Sequence, residues 1–499
     1  MASFERTVSR SWSQWQAVGA FALIGAAQAC APPSQVGGVR ATPVAPGSAW
    51  AAPSGATAPL NSDESARATR GSAVSAALGA KMGTLSLVDV VDLALGNSPQ
   101  TRVTWSQARA AAATYASARG KFAPSIDAGF VGGPVRGVSQ NPARIPNDRT
   151  TMTASLQVQY VLFDFGARGG AMGAAHEALF AADLNHNAAV QNVTLQAEGA
   201  YFTFQATRGL LAAAHLTVQT ARTNLAAAER RHDVGLATIA DVLQARTALA
   251  QSQLAEQSAD GGAQAARAAL ALACGLAANA PFDVAPDSSA MQVRDVVESV
   301  DSIIERAVRN RPDVAAARAL ARQSEHLVRS ARSAALPSVT IGANRGRVTS
   351  NNPALEGQTY VVNFGLSVPL FSGLAREADV AAAQENAAAA AARAEQSRIA
   401  AIAQVFTSFH ALRTSAQRVA TSAELLASAT QSEEVARGRY AEGVGSILDL
   451  LTAQGALADA RAQAVQSRWA WYAALAQLAR DAGTLGPRGE PNLTLTGNK

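Results

Sequence analysis

The side chains best equipped for chemistry are few and badly placed for it. Two cysteines, Cys30 and Cys274, stand far apart in 499 residues. They allow one bridge at most and no CxxC zinc or redox pair. The histidines, His176, His186, His215, His232, His326 and His410, never stand at the i, i+4 spacing that lets a helix present two ligands to a metal. A GxGxxG turn in a strand–helix context, a GxSxG elbow and a P-loop are all absent. These absences predict a protein that is not an enzyme and that holds no metal or cofactor. A formal charge of +5 without a lysine or arginine block also speaks against nucleic acid as a partner.

What remains is a pair of turns. Thr238-Ile-Ala-Asp241 and Ser446-Ile-Leu-Asp449 each follow a glycine, Gly235 and Gly443. Glycine accepts the left-handed conformation that ends a helix. Thr238 and Ser446 then read as N-caps, with aspartate at N3 closing a capping box at the positive end of the helix dipole.

The elements that carry these turns are written twice. Leu93–Pro99 recurs as Arg306–Asp313, Phe122–Ile126 as Ala335–Val339, Gln159–Gly166 as Ser367–Gly373, and Arg231–Leu243 as Arg439–Leu451. Four correspondences in one order, offset by about 210 residues, describe two halves. Each half reads helix, strand, strand, long helix, turn, helix. The proline-free run from about Arg168 to Asp233 would span ~100 Å as a helix. Its partners, about 100–121 and 238–278, sum to a similar length; 374–440, 312–334 and 446–484 repeat the arrangement. Two short helices stacked against one long one suggest antiparallel packing along a rod. Alanine, much of the 48% hydrophobic content, lets such helices approach closely.

Period-2 alternation marks the strands: Ala154, Leu156, Val158, Tyr160 and Leu162 in one half, Tyr360, Val362, Phe364, Leu366, Val368 and Leu370 in the other. Partner strands start at Pro124 and Pro337, with polar loops at 140–148 and 350–353 between. Strands of about ten residues with one apolar face fit a tilted membrane strand. One chain offers four. Bare strand edges cannot face lipid, and membrane barrels have at least 8 strands. Oligomerisation is therefore expected, as a dimer with 8 strands or a trimer with 12.

The N-terminus reads as a secretory signal peptide, residues 1–29, with Arg6 and Arg10 ahead of the apolar run Ala17–Ala29. Cys30 occupies the place of an acylated lipobox cysteine, although Ala27 replaces the usual leucine. Cleavage after Ala27, Ala29 or Ala51 is the alternative. Residues 30–80 form a disordered or extended Pro/Ala/Gly-rich leader, 81–285 and 286–485 the two repeats, and 486–499 a flexible tail.

In order and in duplicate, these signals resemble the TolC family of outer-membrane efflux proteins over about residues 85–484. The residues that carry the resemblance are Leu85-Ser-Leu, Asn-x-Pro at both starts, Leu162-Phe-Asp-Phe-Gly166 and the Gly-x-x-x-Ile-x-Asp-(Val/Leu)-Leu turn. The resemblance implies an α+β membrane protein whose homotrimer closes a 12-stranded outer-membrane β-barrel continuous with a long α-helical periplasmic barrel. It implies outer-membrane lipid around the strands, a periplasmic adaptor at the turns, and an inner-membrane ABC or resistance-nodulation-division (RND) transporter beyond.

It further implies that Asp449, with Asp241, forms an electronegative constriction beside Tyr440. This sequence departs from the pattern there. Gly445 stands where an arginine is expected and Thr452 where a second aspartate is, so the closure is expected to be weaker or built differently. His232 replaces a tyrosine in the first half. The adaptor-contact candidates are Val234, Gly235 and Leu236 with Glu442, Gly443 and Val444. Trp469, Trp471 and Tyr472 are expected to pack. Phe163, Phe165, Phe364 and Phe371 belong to an interfacial belt or to the core. The weak lipobox, and the lack of a tryptophan before Leu162-Phe-Asp-Phe-Gly166, favour type I protein secretion, in the branch of the cyclolysin exporter's outer component. Small-molecule, drug or metal efflux with an RND pump is the second reading. A periplasmic coiled-coil structural protein, water-soluble and non-conducting, is the third.

Overall fold

A computed structural model describes residues 35–36, 39–40, 45–50, 84–138, 146–285, 298–351, 353 and 356–486. The signal peptide, Cys30 and nearly all of the expected tail lie outside these residues.

The chain runs α1 (Leu87–Asn97), α2 (Pro99–Gly120), β1 (Ser125–Val138), β2 (Pro146–Phe163), α3 (Ala167–Asp233), α4 (Ile239–Ala273), then α5 (Val300–Asn310), α6 (Pro312–Ala334), β3 (Ser338–Ser350), β4 (Gly357–Ser367), α7 (Ala375–Ala441) and α8 (Ile447–Asp481). The same order of elements occurs twice. Both long helices have 67 residues, ~100 Å of rise. In each half the two shorter helices pack along the long one, and α6 also packs on α3. Gly170 permits that last contact, since a Cβ there would lie 2.7 Å from the Ser330 amide nitrogen.

Several boundaries differ from the sequence reading. A short helix opens each half, α1 and α5, to which the sequence reading, starting its helices at about 100 and 312, gave no place. The break after each is chemical. Pro99 and Pro312 take the first position of the following helix, where a missing N–H costs nothing, and the residue before proline is pushed out of the helical region. Ser98 has ψ 124° and Arg311 ψ 124°. The strands, of 14, 18, 13 and 11 residues, outrun the expected ten, but β4 stops at Ser367, short of the expected Val368 and Leu370, because Pro369 has no N–H to donate to the ladder. Residues 146–148, assigned to a loop, begin β2, and Ser350 ends β3, because polar residues there continue the antiparallel ladder. The C-terminal helices of the halves stop at Ala273 and Asp481, short of the expected 278 and 484.

The four strands form one antiparallel sheet, β1–β2–β3–β4. Its rungs cross both halves: Ala128, Leu156, Arg345 and Tyr360 lie side by side, as do Ile126, Val158, Ala343 and Val362. Residues directly opposite share a face, so one face is apolar. The other carries Asp127, Gln157 and Asn344 on one rung and Ser125, Gln159 and Asn363 on another. Among the described residues no strand lies beside the outer edges of β1 and β4.

Strand passes to long helix through backbone that L-residues rarely adopt. Phe165 and Gly166 have φ 50° and 94°; Gly373 and Leu374 have φ 64° and 65°. The Asp164 carboxylate accepts from the amides of Gly166 and Arg168, at 3.2 and 3.0 Å, and holds the Arg168 guanidinium at 2.8 Å. That is the physical content of Leu162-Phe-Asp-Phe-Gly166.

The main core lies where the short helices meet the middles of the long ones. Trp471, Leu478, Leu270, Ile303 and Leu412 are buried there, and Phe202 stacks on Tyr472 at 5.5 Å. Trp471 and Tyr472 thus pack, as expected, with Trp469 partly buried against them.

Residues 45–50, part of the expected leader, instead dock on α3. The Asn187 side chain bonds both backbone groups of Trp50, the Trp50 ring meets Phe180 edge-on, and His186 bonds the Ser48 carbonyl at 2.9 Å.

Two carboxyls in α3, Asp183 and Glu198, are buried, and burial pushes them up to about 8 and about 7. An acid raised in the native state binds a proton that the unfolded chain has already lost. Its contribution to stability is therefore full below the unfolded value and falls as pH rises through the folded one. The fold is expected to melt at lower temperature at pH 8 than at pH 5. Asp183→Asn should flatten that slope in thermal denaturation followed at both pH values.

Candidate functional site

Both turns close by the same backbone device. At the end of α3, the Gly235 amide donates to His232 O at 2.9 Å and the Leu236 amide to Arg231 O at 2.7 Å. At the end of α7, the Gly443 amide donates to Tyr440 O at 3.1 Å and the Val444 amide to Arg439 O at 3.0 Å. This pair of bonds is the Schellman motif. It requires positive φ, which Gly235 and Gly443 supply at 79° and 78°. Thr238 and Ser446 then cap α4 and α8, with Asp241 and Asp449 completing capping boxes. Asp241 accepts from the Thr238 amide at 2.8 Å and from its hydroxyl at 2.9 Å. Asp449 accepts from the Ser446 amide at 3.4 Å.

The turns leave apolar side chains in solvent. Val234, Leu236 and Val444 are each about 70% exposed. Glu442 and Asp449 are exposed, and so is Thr452 one helical turn further along α8. His232 is exposed too, its Nδ1 3.0 Å from Ala237 O. Tyr440 points inward, packed with Ile447 and Leu450.

The arrangement turns on a residue the sequence reading did not single out. Arg231, at the end of α3 in the first half, reaches across to the second-half turn. Its Nη1 donates to Tyr440 O at 2.8 Å and to Ala441 O at 3.2 Å. Its guanidinium lies 5.0 Å from the centre of the Tyr440 ring. One cation thus satisfies the last carbonyls of α7, meets the negative end of that helix dipole and stacks on an aromatic face. The Tyr440 hydroxyl itself has no hydrogen-bond partner among the described residues. Burial pushes the phenol up, Arg231 pulls it down, and the nearby Asp241 charge adds to the rise.

The two turns are therefore tied across the halves by a first-half arginine on second-half carbonyls. Gly445, where an arginine was expected, leaves little room for a side chain: a Cβ would lie 3.0 Å from the Arg439 Cβ, which would have to shift by a few tenths of an ångström. The signal available in sequence was the matched pair Arg231 and Arg439 at one position of the duplicated turn. Spacing alone did not say which would reach across.

A four-stranded sheet with one apolar face, joined to ~100 Å helices that end in paired turns, defines a channel-forming outer-membrane protein with its helices in the periplasm. The family model described as outer membrane efflux protein matches residues 90–276 and 303–484. The chain belongs to this family of channel and transport proteins. It is 30% identical over 388 residues to the protein CyaE of Bordetella pertussis, a match covering 76% of this chain and 80% of that one. It is 23% identical over 273 residues to the outer membrane efflux protein BepC of Brucella suis, covering 54% and 57%. Among solved structures it superposes on the Campylobacter jejuni CmeC outer membrane channel with a TM-score of 0.73 at 18% identity, covering 82% and 87%.

The geometry of the latch separates two variants. Arg231→Gln removes charged hydrogen bonds worth roughly 1–3 kcal/mol to local closure. Amide exchange at Gly443–Gly445 should speed up by about tenfold or more. Tyr440→Phe removes a hydroxyl that bonds nothing described, and should leave the exchange within about twofold of wild type. Hydrogen-exchange mass spectrometry of the turn peptides reads both.

Proposed function

We propose that three copies of this chain close a 12-stranded barrel in the outer membrane, continuous with a helical tunnel, and that the assembly is the exit duct of a tripartite export system. The observation that carries this reading is the open sheet. Four strands with one apolar face and two bare edges meet the demands of lipid only when neighbouring copies complete them. On this reading the chain itself catalyses nothing. Its folded repeats run over 81–285 and 286–485, behind a signal peptide (1–29) and a leader (30–80) and before a tail (486–499).

The paired turns are the narrow end. Three copies of Asp449, with Asp241, ring the opening with negative charge, which favours cations and resists leak. Tyr440 sits behind this ring and Thr452 just within it. The exposed Val234, Leu236 and Val444, on backbone set by Gly235 and Gly443 and flanked by Glu442, present a small apolar surface to a periplasmic adaptor. An inner-membrane ABC transporter behind that adaptor, exporting a protein by type I secretion, is the cargo reading that the cyclolysin-exporter resemblance supports. The match to CyaE, longer and closer than that to BepC, adds support. The family's description as efflux proteins keeps an RND pump and a small-molecule cargo as the second reading.

Cysteine at Val444 suits a crosslinking test better than cysteine at Gly445, because Val444 is exposed and Gly445 is hemmed in. After in-cell crosslinking from Val444→Cys and mass spectrometry, an adaptor with an ABC transporter is the expected catch. An RND pump in its place would move the cargo to small molecules. No partner, together with a detergent-independent soluble monomer, would overturn the duct.

A further inference from the structure

On β3 the apolar face of the sheet is broken by two residues. Arg345 lies on the rung Ala128–Leu156–Arg345–Tyr360, and Arg347 on the rung Phe130–Ala154–Arg347–Gln358. Both are exposed, and no ion pair or hydrogen bond joins either to another described residue. They stand two positions apart on one face, about 7 Å along the strand. The acidic residue at the start of the neighbouring strand, Glu356, turns its carboxylate to the Ser350 amide at 3.4 Å. β3 is an inner strand, flanked by β2 and β4 of its own chain. Closure against other copies through β1 and β4 therefore leaves this face of β3 uncovered.

Depth explains why two charges are tolerated there. Along β2, strand throughout, the exposed apolar residues start at Phe163 on the helical side and pass Leu156 to Ala154, whose rung holds the exposed Phe130 on β1. That is about nine residues, which tilted by ~40° rise roughly 23 Å, close to the ~25 Å height of a barrel's apolar band. The rung of Phe130 and Arg347 then lies at the far rim, on the side of the β1–β2 and β3–β4 hairpin loops, with Met152 one step beyond it. Arg345, on the Tyr360 rung, lies two residues inside the rim, within reach of it for a long side chain. A charge within the band is costly, and the cost falls away at the interface. At the rim a guanidinium meets headgroups, and its planar fork matches the oxygens of a phosphate.

We propose that Arg345 and Arg347 form a headgroup site on the outer rim of the barrel, holding the phosphate groups of the outer-leaflet glycolipid. The site rests on the barrel reading above and occurs once per protomer. Offset by the repeat, the corresponding first-half positions are Gly132 and Pro134, which carry no charge.

The test uses the full-length chain in detergent, titrated with bisphosphorylated lipid A and with the same lipid stripped of both phosphates. Retained lipid is counted by native mass spectrometry. The phosphorylated form should be retained about tenfold better, the preference expected of charge-assisted hydrogen bonds. The R345Q/R347Q double variant should lose the preference, and R345K/R347K should keep most of it. Should the glutamine variant fail to assemble, the wild-type comparison and the lysine variant decide. Equal retention of the two lipids by wild type, or an undiminished preference in the glutamine variant, overturns the headgroup site and leaves the barrel standing. Displacement by millimolar inorganic phosphate overturns it in favour of a free-anion site. A chain that retains neither lipid and stays dispersed without detergent overturns the barrel itself.

Discussion

An antiparallel sheet must do something with its edges. In water an unpaired N–H or C=O finds a solvent partner; in hydrocarbon each costs several kcal/mol. Here β1 and β4 end the sheet, and the face that β2 and β3 share with them is apolar along the length of the membrane band. Those two facts cannot both be accommodated in lipid by one copy of the chain. The rest of the architecture follows from resolving them between copies. In the proposed trimer the strands supply a third of a barrel; within the chain the two ~100 Å helices leave the sheet in the same direction because both hairpins open toward the same end. Duplication of the half makes this geometry cheap, since one supersecondary unit solves the problem twice.

At the other end, ~100 Å away, charge and backbone take over from hydrophobicity. The tip clusters are small: Ala228, Val242 and Ala245 under one turn, Tyr440, Ile447 and Leu450 under the other. Such modest burial leaves the tips at the low-stability end of the molecule. Their order comes from two Schellman turns, two capping boxes and one guanidinium. Arg231 matters most of these because it joins the halves at the very ends of the helices, with the Asn224 to Gln454 hydrogen bond two turns further in. On the proposed reading, a tie built on one side chain and two carbonyls suits a tip that a partner opens by competing for the same surface.

Much of this was legible in sequence. The turn residues, the capping boxes, the strand faces and the 67-residue helices follow from periodicity, glycine placement and the absence of proline. The breaks at Pro99 and Pro312 were also legible, and the helices after them were placed; the 11-residue helices before them were missed because each is short. What sequence could not supply was reach. Arg231 and Arg439 occupy one position of the duplicated turn, yet only Arg231 spans to the opposite helix end. Which arginine does so depends on how the hairpins pack, not on spacing. Arg345 and Arg347 were hidden for a similar reason. They interrupt an apolar face, and only the four-strand register puts Arg345 level with Tyr360 and Arg347 level with Gln358 and Phe130. The docking of residues 45–50 was illegible because it rests on single contacts, Trp50 with Phe180 and Asn187, inside a composition that reads as unstructured.

The central claim is that neighbouring copies complete the sheet. Native mass spectrometry of the detergent-extracted protein, paired with single-channel recording of the same preparation in a planar bilayer, tests it most directly. Three chains per particle, and a discrete conductance that Arg231→Gln raises, are the results the account predicts. A monomer that needs no detergent and passes no current would contradict it.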